Sequence, residues 1–343
     1  MTADDAIVLH IGVHKTGSTA LQAALAGARP QLRARGVLYP GRDEAHHAAA
    51  WAVTGFRMGF GDEATTVRAR NWPALVRQAQ EHPGRVMISS EFFGRMRPAA
   101  LSSVVAELGP SRVHVLFGVR RLGDLLPSTW QQYLKTGLTV PYRDWLTDVL
   151  SPGRPATTKG FWRRADFAAL VRRWSAVVPP ERITAVVLDP GHRGLLYRTT
   201  EQMLDLPPEF LEPYRAASRE NRSMTAPEAE AVRRINSAVA DSMGWKEYEA
   251  RIRHGLIADM VATRVPPPTE QRLTTPKWAL EKALRRQRRD HRVLTSSGIT
   301  VNGDADYLLT RPHAAGIVPV ETIPADIVEL SQEWAGVDVT ATG

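Results

Sequence analysis

The amino-acid sequence predicts an α/β fold: a parallel β-sheet flanked by helices on both faces, followed by a mostly helical or irregular C-terminal extension. Three observations carry this. Four short apolar or β-branched runs, 6–13, 85–90, 112–120 and 182–189, have the length of strands. Stretches of helical composition separate them, and strands that alternate with helices pair in parallel because each crossover lays its helix across the sheet. The first run also opens directly into a glycine-bounded loop and then a helix, a layout that presents backbone N–H groups to an anion.

In chain order, the run Ile7-Val8-Leu9-His10-Ile11 ends in Gly12-Val13-His14-Lys15-Thr16-Gly17-Ser18-Thr19, and the first helix is expected over 19–27. Helices are expected next at 72–81 and 98–108, on either side of the second strand, and at 165–177 before the fourth. Beyond residue 189 the pattern changes to helices at 195–204 and 227–241. Thr225, with Glu228 three residues on, has the form of a capping box for the second of these. Val265-Pro266-Pro267-Pro268 marks the expected boundary between a main domain, 1–264, and a basic extension, 265–343, packing on or near it. A short helix is expected at 324–334. Between 277 and 292, Lys277, Lys282, Arg285, Arg286, Arg288, Arg289 and Arg292 stand against only Glu281 and Asp290, the composition of a solvated helix face.

Composition bounds the chemistry. A chain of 343 residues with 43% hydrophobic content can bury a full core. It has no cysteine, which excludes disulfides, thiol nucleophiles, iron–sulfur clusters and cysteine-ligated zinc. Met1-Thr2-Ala3-Asp4-Asp5 has no apolar core of a signal peptide, and no apolar run approaches the roughly 20 residues of a membrane helix. The expectation is a soluble cytoplasmic protein with no membrane span. The net charge of +8 suits anionic ligands, and because no reader motif accompanies the basic run, nucleic acid is not an expected partner. Nothing in the sequence speaks to the oligomeric state.

Ligands of open α/β sheets bind outside the carboxyl ends of the strands, so the chemistry is sought at 12–19, at 89–91 and from 120 onward. The loop is close to a Walker A sequence, which makes the sheet P-loop-type. However, Ser18 holds the position after the second glycine where an NTPase has its lysine, and the lysine is inside the loop as Lys15. Backbone N–H groups from Lys15 to Thr19 can cradle a phosphate-like group at the positive end of the helix. Ser18 and Thr19 add hydroxyl donors. The second element is Arg120, delivered by a strand, with Asp124 four and Ser128 eight residues later. An arginine fork and a hydroxyl converging on one phosphate is sound chemistry. The competing reading puts Arg120 or Arg121 in an ion pair with Asp124.

Together these blocks resemble the sulfotransferases that use 3′-phosphoadenylyl sulfate (PAPS), especially their bacterial and heparan-sulfate-type branches. His14-Lys15-Thr16-Gly17-Ser18-Thr19-Ala20-Leu21-Gln22 is similar to the family's 5′-phosphosulfate loop. Arg120 through Ser128 is similar to its 3′-phosphate pattern, and Asn221-Arg222-Ser223 to a segment of bacterial members. The resemblance covers roughly residues 5–240, strongly in the two short blocks. It implies PAPS as donor, adenosine 3′,5′-bisphosphate as product, and no metal. It also implies that His14, Lys15, Thr16, Gly17, Ser18 and Thr19 hold the 5′ end, that Arg120 and Ser128 hold the 3′-phosphate, and that Lys15 offsets charge on the departing oxygen. Two departures stand out: no counterpart of the family's late Arg-Lys-Gly segment is found, and Arg121-Leu122 replaces its Asn-Pro.

The transfer needs a base for the acceptor proton. Glu91, closing the second strand, is the first candidate and matches the glutamate of heparan-type members. His46 and His47 are the alternative, while His14 lines the site. Trp51, Phe56, Phe60, Trp130, Tyr133, Phe161 and Trp162 fall near the expected cleft, as core or as an acceptor platform. The acceptor itself, a small molecule or a glycan, is not encoded in any motif. Two other functions stay open: a P-loop nucleotide kinase or NTPase, and a non-catalytic binder of anions or polysaccharides.

Overall fold

The structure is a computed structural model that describes residues 2–56, 71–153, 159–192, 194–215, 222–312 and 320–340. Phe60 and Asn221 lie outside the described residues. Six strands, β1 (Ile7–His10), β2 (Val37–Leu38), β3 (Arg85–Ser89), β4 (Val113–Val119), β5 (Ile183–Val187) and β6 (Thr300–Asn302), form one all-parallel sheet. Their order is β2-β3-β1-β4-β5-β6. The loop-bearing β1 is thus central, with β3 on one side and β4 on the other. The carboxyl ends of these three strands deliver Gly12, Glu91 and Arg120 to one edge of the sheet.

The alternation of side chains decides which face each residue serves. Ile7 and Leu9, Val86 and Ile88, Val113, Val115 and Phe117, and Ile183 and Ala185 pack into one buried cluster with the helices Asn71–Glu81, Pro98–Leu108 and Phe167–Ser175. Val8, Met87, Leu116 and Val186 point the other way, onto the helices Ser18–Gly27 and Leu195–Leu204. A parallel sheet covered on both faces reads as continuous apolar runs, which is why the four strands were legible. A third cluster, with no strand residue in it, joins residues of Leu122–Leu134, Tyr142–Val149 and Ala226–Val239.

The helix expected over 165–177 is Phe167–Ser175, and a further helix, Lys159–Ala165, precedes it. Asp166 separates them, and its carboxylate accepts from the Ala169 N–H as the cap of the second. The capping box is present at Ala226–Val239: Glu228 N–H donates to Thr225 Oγ1 at 3.4 Å and Thr225 N–H to Glu228 Oε2 at 2.8 Å. Glu228 is also gripped by Arg222 and Arg264.

Segment 265–343 packs closely on the rest of the chain. It supplies the edge strand β6, and Leu294, Ile299 and Leu308 enter the same cluster as β1. Arg264 binds Glu228, Glu270 and Asp326, tying residues on both sides of the proline run. The basic run forms the helix Lys277–Ser296, with Ala279, Leu280, Ala283, Gln287, Asp290 and Leu294 facing inward. Lys277, Lys282, Arg285, Arg288, Arg289 and Arg292 are exposed, as a solvated face requires, whereas Arg286 turns in to bind Asp166. Among the described residues no helix is long and apolar enough to cross a membrane.

Candidate active site

The loop after β1 rests on two close backbone approaches. A Cβ at Gly12, whose φ is +90°, would lie 2.5 Å from Glu91 Cβ, so only glycine lets the loop pass beneath Glu91. A Cβ at Gly118 of β4 would lie 2.7 Å from Thr16 Cβ, so this second glycine seats the loop from the other side. Gly118 N–H also donates to the Gly12 carbonyl at 2.6 Å. Lys15 and Gly17 take left-handed backbone conformations, and Gly17 caps the helix Ser18–Gly27. The hydroxyls of Thr16 and Ser18 turn inward, donating to the Val13 carbonyl at 2.6 and 3.2 Å. They shape the loop from within, while Gly17 and Thr19 face outward.

Lys15, Thr16, Gly17, Tyr197 and Arg120 line a cavity of about 380 Å³. Arg120, Ser128, Gln131, Arg222 and Thr275 line a second of about 700 Å³. Arg120 and Asp124 border both. The ion pair with Asp124 belongs to Arg121, at 2.7 Å; Arg121 also reaches Thr310 Oγ1 and lies over the Tyr307 ring. Arg120 donates to the Lys15 carbonyl at 3.3 Å, and among the described residues no carboxylate lies within 4.0 Å of it. The turn that presents it is held by Gln287, which accepts from Leu122 N–H and donates to the Arg120 carbonyl. Ser128 Oγ bonds back to the Leu125 carbonyl at 3.3 Å on the helix Leu122–Leu134.

Glu91 is placed by Gln22, whose Nε2 donates to Ser89 Oγ at 3.1 Å and to Glu91 Oε2 at 3.3 Å. The Glu91 side chain is 14% exposed, with His47 Nδ1 3.8 Å from its Oε2 and 2.9 Å from Ser90 Oγ. His46 is differently employed. Its Nδ1 accepts from Ser89 N–H and its Nε2 donates to the Pro40 carbonyl, both at 2.9 Å. Burial holds its pKa down to about 4. With both ring nitrogens bonded to backbone, His46 pins the loop to β3 and leaves no atom for proton transfer; of the histidine pair, only His47 reaches Glu91. His14 stacks edge-on against Phe92, and its buried Nδ1 has no hydrogen-bond partner among the described residues. Burial, then Arg164, Arg95, His47 and Lys15, keep it neutral. Burial first, then Lys135 and Arg120, pushes the Lys15 ammonium down to about 8 against the pull of Glu91.

Of the aromatic residues, Trp51 and Phe56 gather around Phe92 beside this site. Trp130, Phe161 and Trp162 are core of the helical cluster, with Tyr133 packed against it. Sequence reading missed Gly118 and Gln287 and gave Gln22 no role of its own, yet all three position the site; it also missed Arg164 and Lys135, whose charges lower the pKa of His14 and of Lys15. Gly118 was the one with a signal, a glycine inside a strand that is apolar but for His114. No protein-family model matches the chain, and no curated protein matches it in sequence.

Proposed function

We propose that the chain is a PAPS-dependent sulfotransferase acting in the cytoplasm on a hydroxyl or amine of a glycan, glycolipid or small metabolite. The observation that carries this is Arg120: it borders two cavities, one with Lys15 and the loop and one with Ser128, and no carboxylate among the described residues neutralises it. A donor with a phosphosulfate and a separate 3′-phosphate needs two anion positions, and Lys15 and Arg120, without an ion pair among the described residues and beside a helix N-terminus, fit such a molecule. Bound there, the donor supplies an activated sulfuryl group. The acceptor oxygen–sulfur bond forms as the sulfur–oxygen bond to the 5′-phosphate breaks. Glu91 takes the acceptor proton and Lys15 balances charge on the oxygen left behind. Positioning and electrostatics supply the acceleration, as in phosphoryl transfer.

A P-loop kinase or NTPase is the second reading, favoured by Asp189, which borders the loop cavity after β5. Both oxygens of Asp189 are already engaged, by Gly191 N–H and by His192 Nδ1. Thermal-shift titration separates the readings. Adenosine 3′,5′-bisphosphate is expected to stabilise the protein where ATP with Mg²⁺ does not, and Arg120→Ala to remove the effect. Stabilisation by ATP with Mg²⁺ alone would refute the sulfotransferase reading.

A further inference from the structure

Behind Glu91 lies a chain of buried polar side chains that sulfuryl transfer leaves without a task. His10 of β1, Gln22 of the helix Ser18–Gly27, Tyr39 and Ser89 of β3 are each 3% exposed or less, so they depend on one another for their hydrogen bonds. Ser89 Oγ is the hub. It lies 2.8 Å from His10 Nδ1 and 3.1 Å from Gln22 Nε2, and it also bonds to the Tyr39 hydroxyl. From Gln22 the chain continues to the site, Nε2 donating to Glu91 Oε2 at 3.3 Å. His47 Nδ1 stands 3.8 Å from the same oxygen, and Glu91 Oε1 makes no hydrogen bond among the described residues.

The protons available fix the direction of each bond. Tyr39 gives its hydroxyl proton to the Glu44 carbonyl at 2.7 Å, so toward Ser89 it can only accept. Ser89 therefore spends its single proton on Tyr39 and accepts from both His10 and Gln22. His10 is kept neutral by burial, which lowers its pKa to about 4, and its one proton is on Nδ1. Its Nε2, which has no partner among the described residues, is left as a bare lone pair rather than an unmet N–H. The amide of Gln22 then has one orientation. Turned over, its carbonyl would face Ser89 Oγ, which has no proton left to give, and the Glu91 carboxylate. Its two N–H bonds are divided instead, one to Ser89 and one to Glu91.

We infer that Gln22 is the positioning residue of the base: locked by Ser89, it aims an N–H at Glu91 Oε2, holds the carboxylate in one orientation and leaves Oε1 as the atom that takes the acceptor's proton. The inference rests on the sulfotransferase reading for that proton, while the orientation of the amide is tested without it. Nuclear magnetic resonance of the full chain with isotope-labelled glutamine reads the two side-chain amide protons of Gln22, assigned by their loss in Gln22→Met. One should shift in Ser89→Ala and the other in Glu91→Gln. Turnover of PAPS with water as acceptor reads the chemistry: the water oxygen bonds to sulfur as the bond to the 5′-phosphate breaks, and Glu91 Oε1 takes the proton. Gln22→Met should lower kcat about tenfold or more while affinity for adenosine 3′,5′-bisphosphate stays within about twofold. In a Glu91→Gln background the same substitution should cost nothing further, because it acts through a carboxylate that is gone. Ser89→Ala, which frees the amide to turn over, should lower kcat by about threefold in the parent and not in Glu91→Gln; it keeps the test open if Gln22→Met does not fold. An equal fall in both backgrounds, or amide protons that ignore Glu91→Gln, overturns the inference, and where turnover with water is too slow to follow the amide spectrum decides. Failure of the bisphosphate to bind the parent refutes the sulfotransferase reading and leaves the spectrum to judge the orientation by itself.

Discussion

Replacing Gly118 by alanine tests whether the loop is seated by β4 in the way the structure shows. The new Cβ would lie 2.7 Å from Thr16 Cβ, 2.8 Å from Thr16 Oγ1 and 3.2 Å from Leu188 Cδ1. Thr16 is 1% exposed and its hydroxyl holds the Val13 carbonyl at 2.6 Å, so it has no open space to retreat into. Overpacking of this kind costs about 1–3 kcal/mol, and losing the Thr16–Val13 hydrogen bond adds about 0.5–1.5 kcal/mol. The expected loss is therefore about 2–4 kcal/mol by urea denaturation. Because the displaced segment carries Lys15 and Gly17, calorimetry should also show adenosine 3′,5′-bisphosphate binding at least about tenfold more weakly. Thr16→Gly in the same background removes both threonine contacts. The double variant should be more stable than additivity predicts by at least about 1 kcal/mol. A Gly118→Ala protein within about 0.5 kcal/mol of the parent, with unchanged affinity, would refute the reasoning.

Three further outcomes follow from the site and the helices behind it. Glu91→Gln should keep adenosine 3′,5′-bisphosphate binding while sulfuryl transfer falls by about 10²–10⁴-fold; retained turnover would move the base to His47. Lys15 is charged below about pH 8 and neutral above it, so calorimetric affinity for the bisphosphate should fall between pH 7 and 9, and Lys15→Gln should flatten that profile at the lower level. Asp290 is buried, accepts from Ala168 N–H and lies near Asp166; burial is the main cause raising its pKa to about 7 from 3.8. The folded state then binds this proton more tightly than the unfolded chain, so the group's stabilisation is full below about pH 4 and lost as pH rises to about 7. Asp290→Asn, which keeps the acceptor for Ala168, should be more stable than the parent at pH 8 by up to about 4 kcal/mol. Urea midpoints should show that advantage shrinking toward pH 4; an equal advantage at both would refute the shifted proton.

The loop and the four main strands were legible because each rests on a local signal. The strands are buried on both faces and so read as apolar runs, while Gly12 and Gly17 bracket a short segment with a single lysine. β2 has two residues, and β6 is the polar edge Thr300-Val301-Asn302; neither has a run long enough to be read. How the extension after the proline run attaches to the sheet was hidden for a related reason. Proline stops local structure, but pairing of β6 with β5 and the ion cluster of Arg264 act across the sequence.

What the sequence determined by itself was the kind of loop, the order of strand and helix around it, and the candidate anion residues Lys15, Arg120 and Ser128. Only the tertiary structure decided how the neighbours divide their work. It gave the Asp124 ion pair to Arg121 and left Arg120 with no carboxylate partner among the described residues, and it tied both ring nitrogens of His46 to the backbone while His47 stayed beside Glu91. The physical reason is that a charge or a ring nitrogen is defined by its partners. Those partners come from β3, β4 and helices distant in the chain, brought together by packing that no local pattern records.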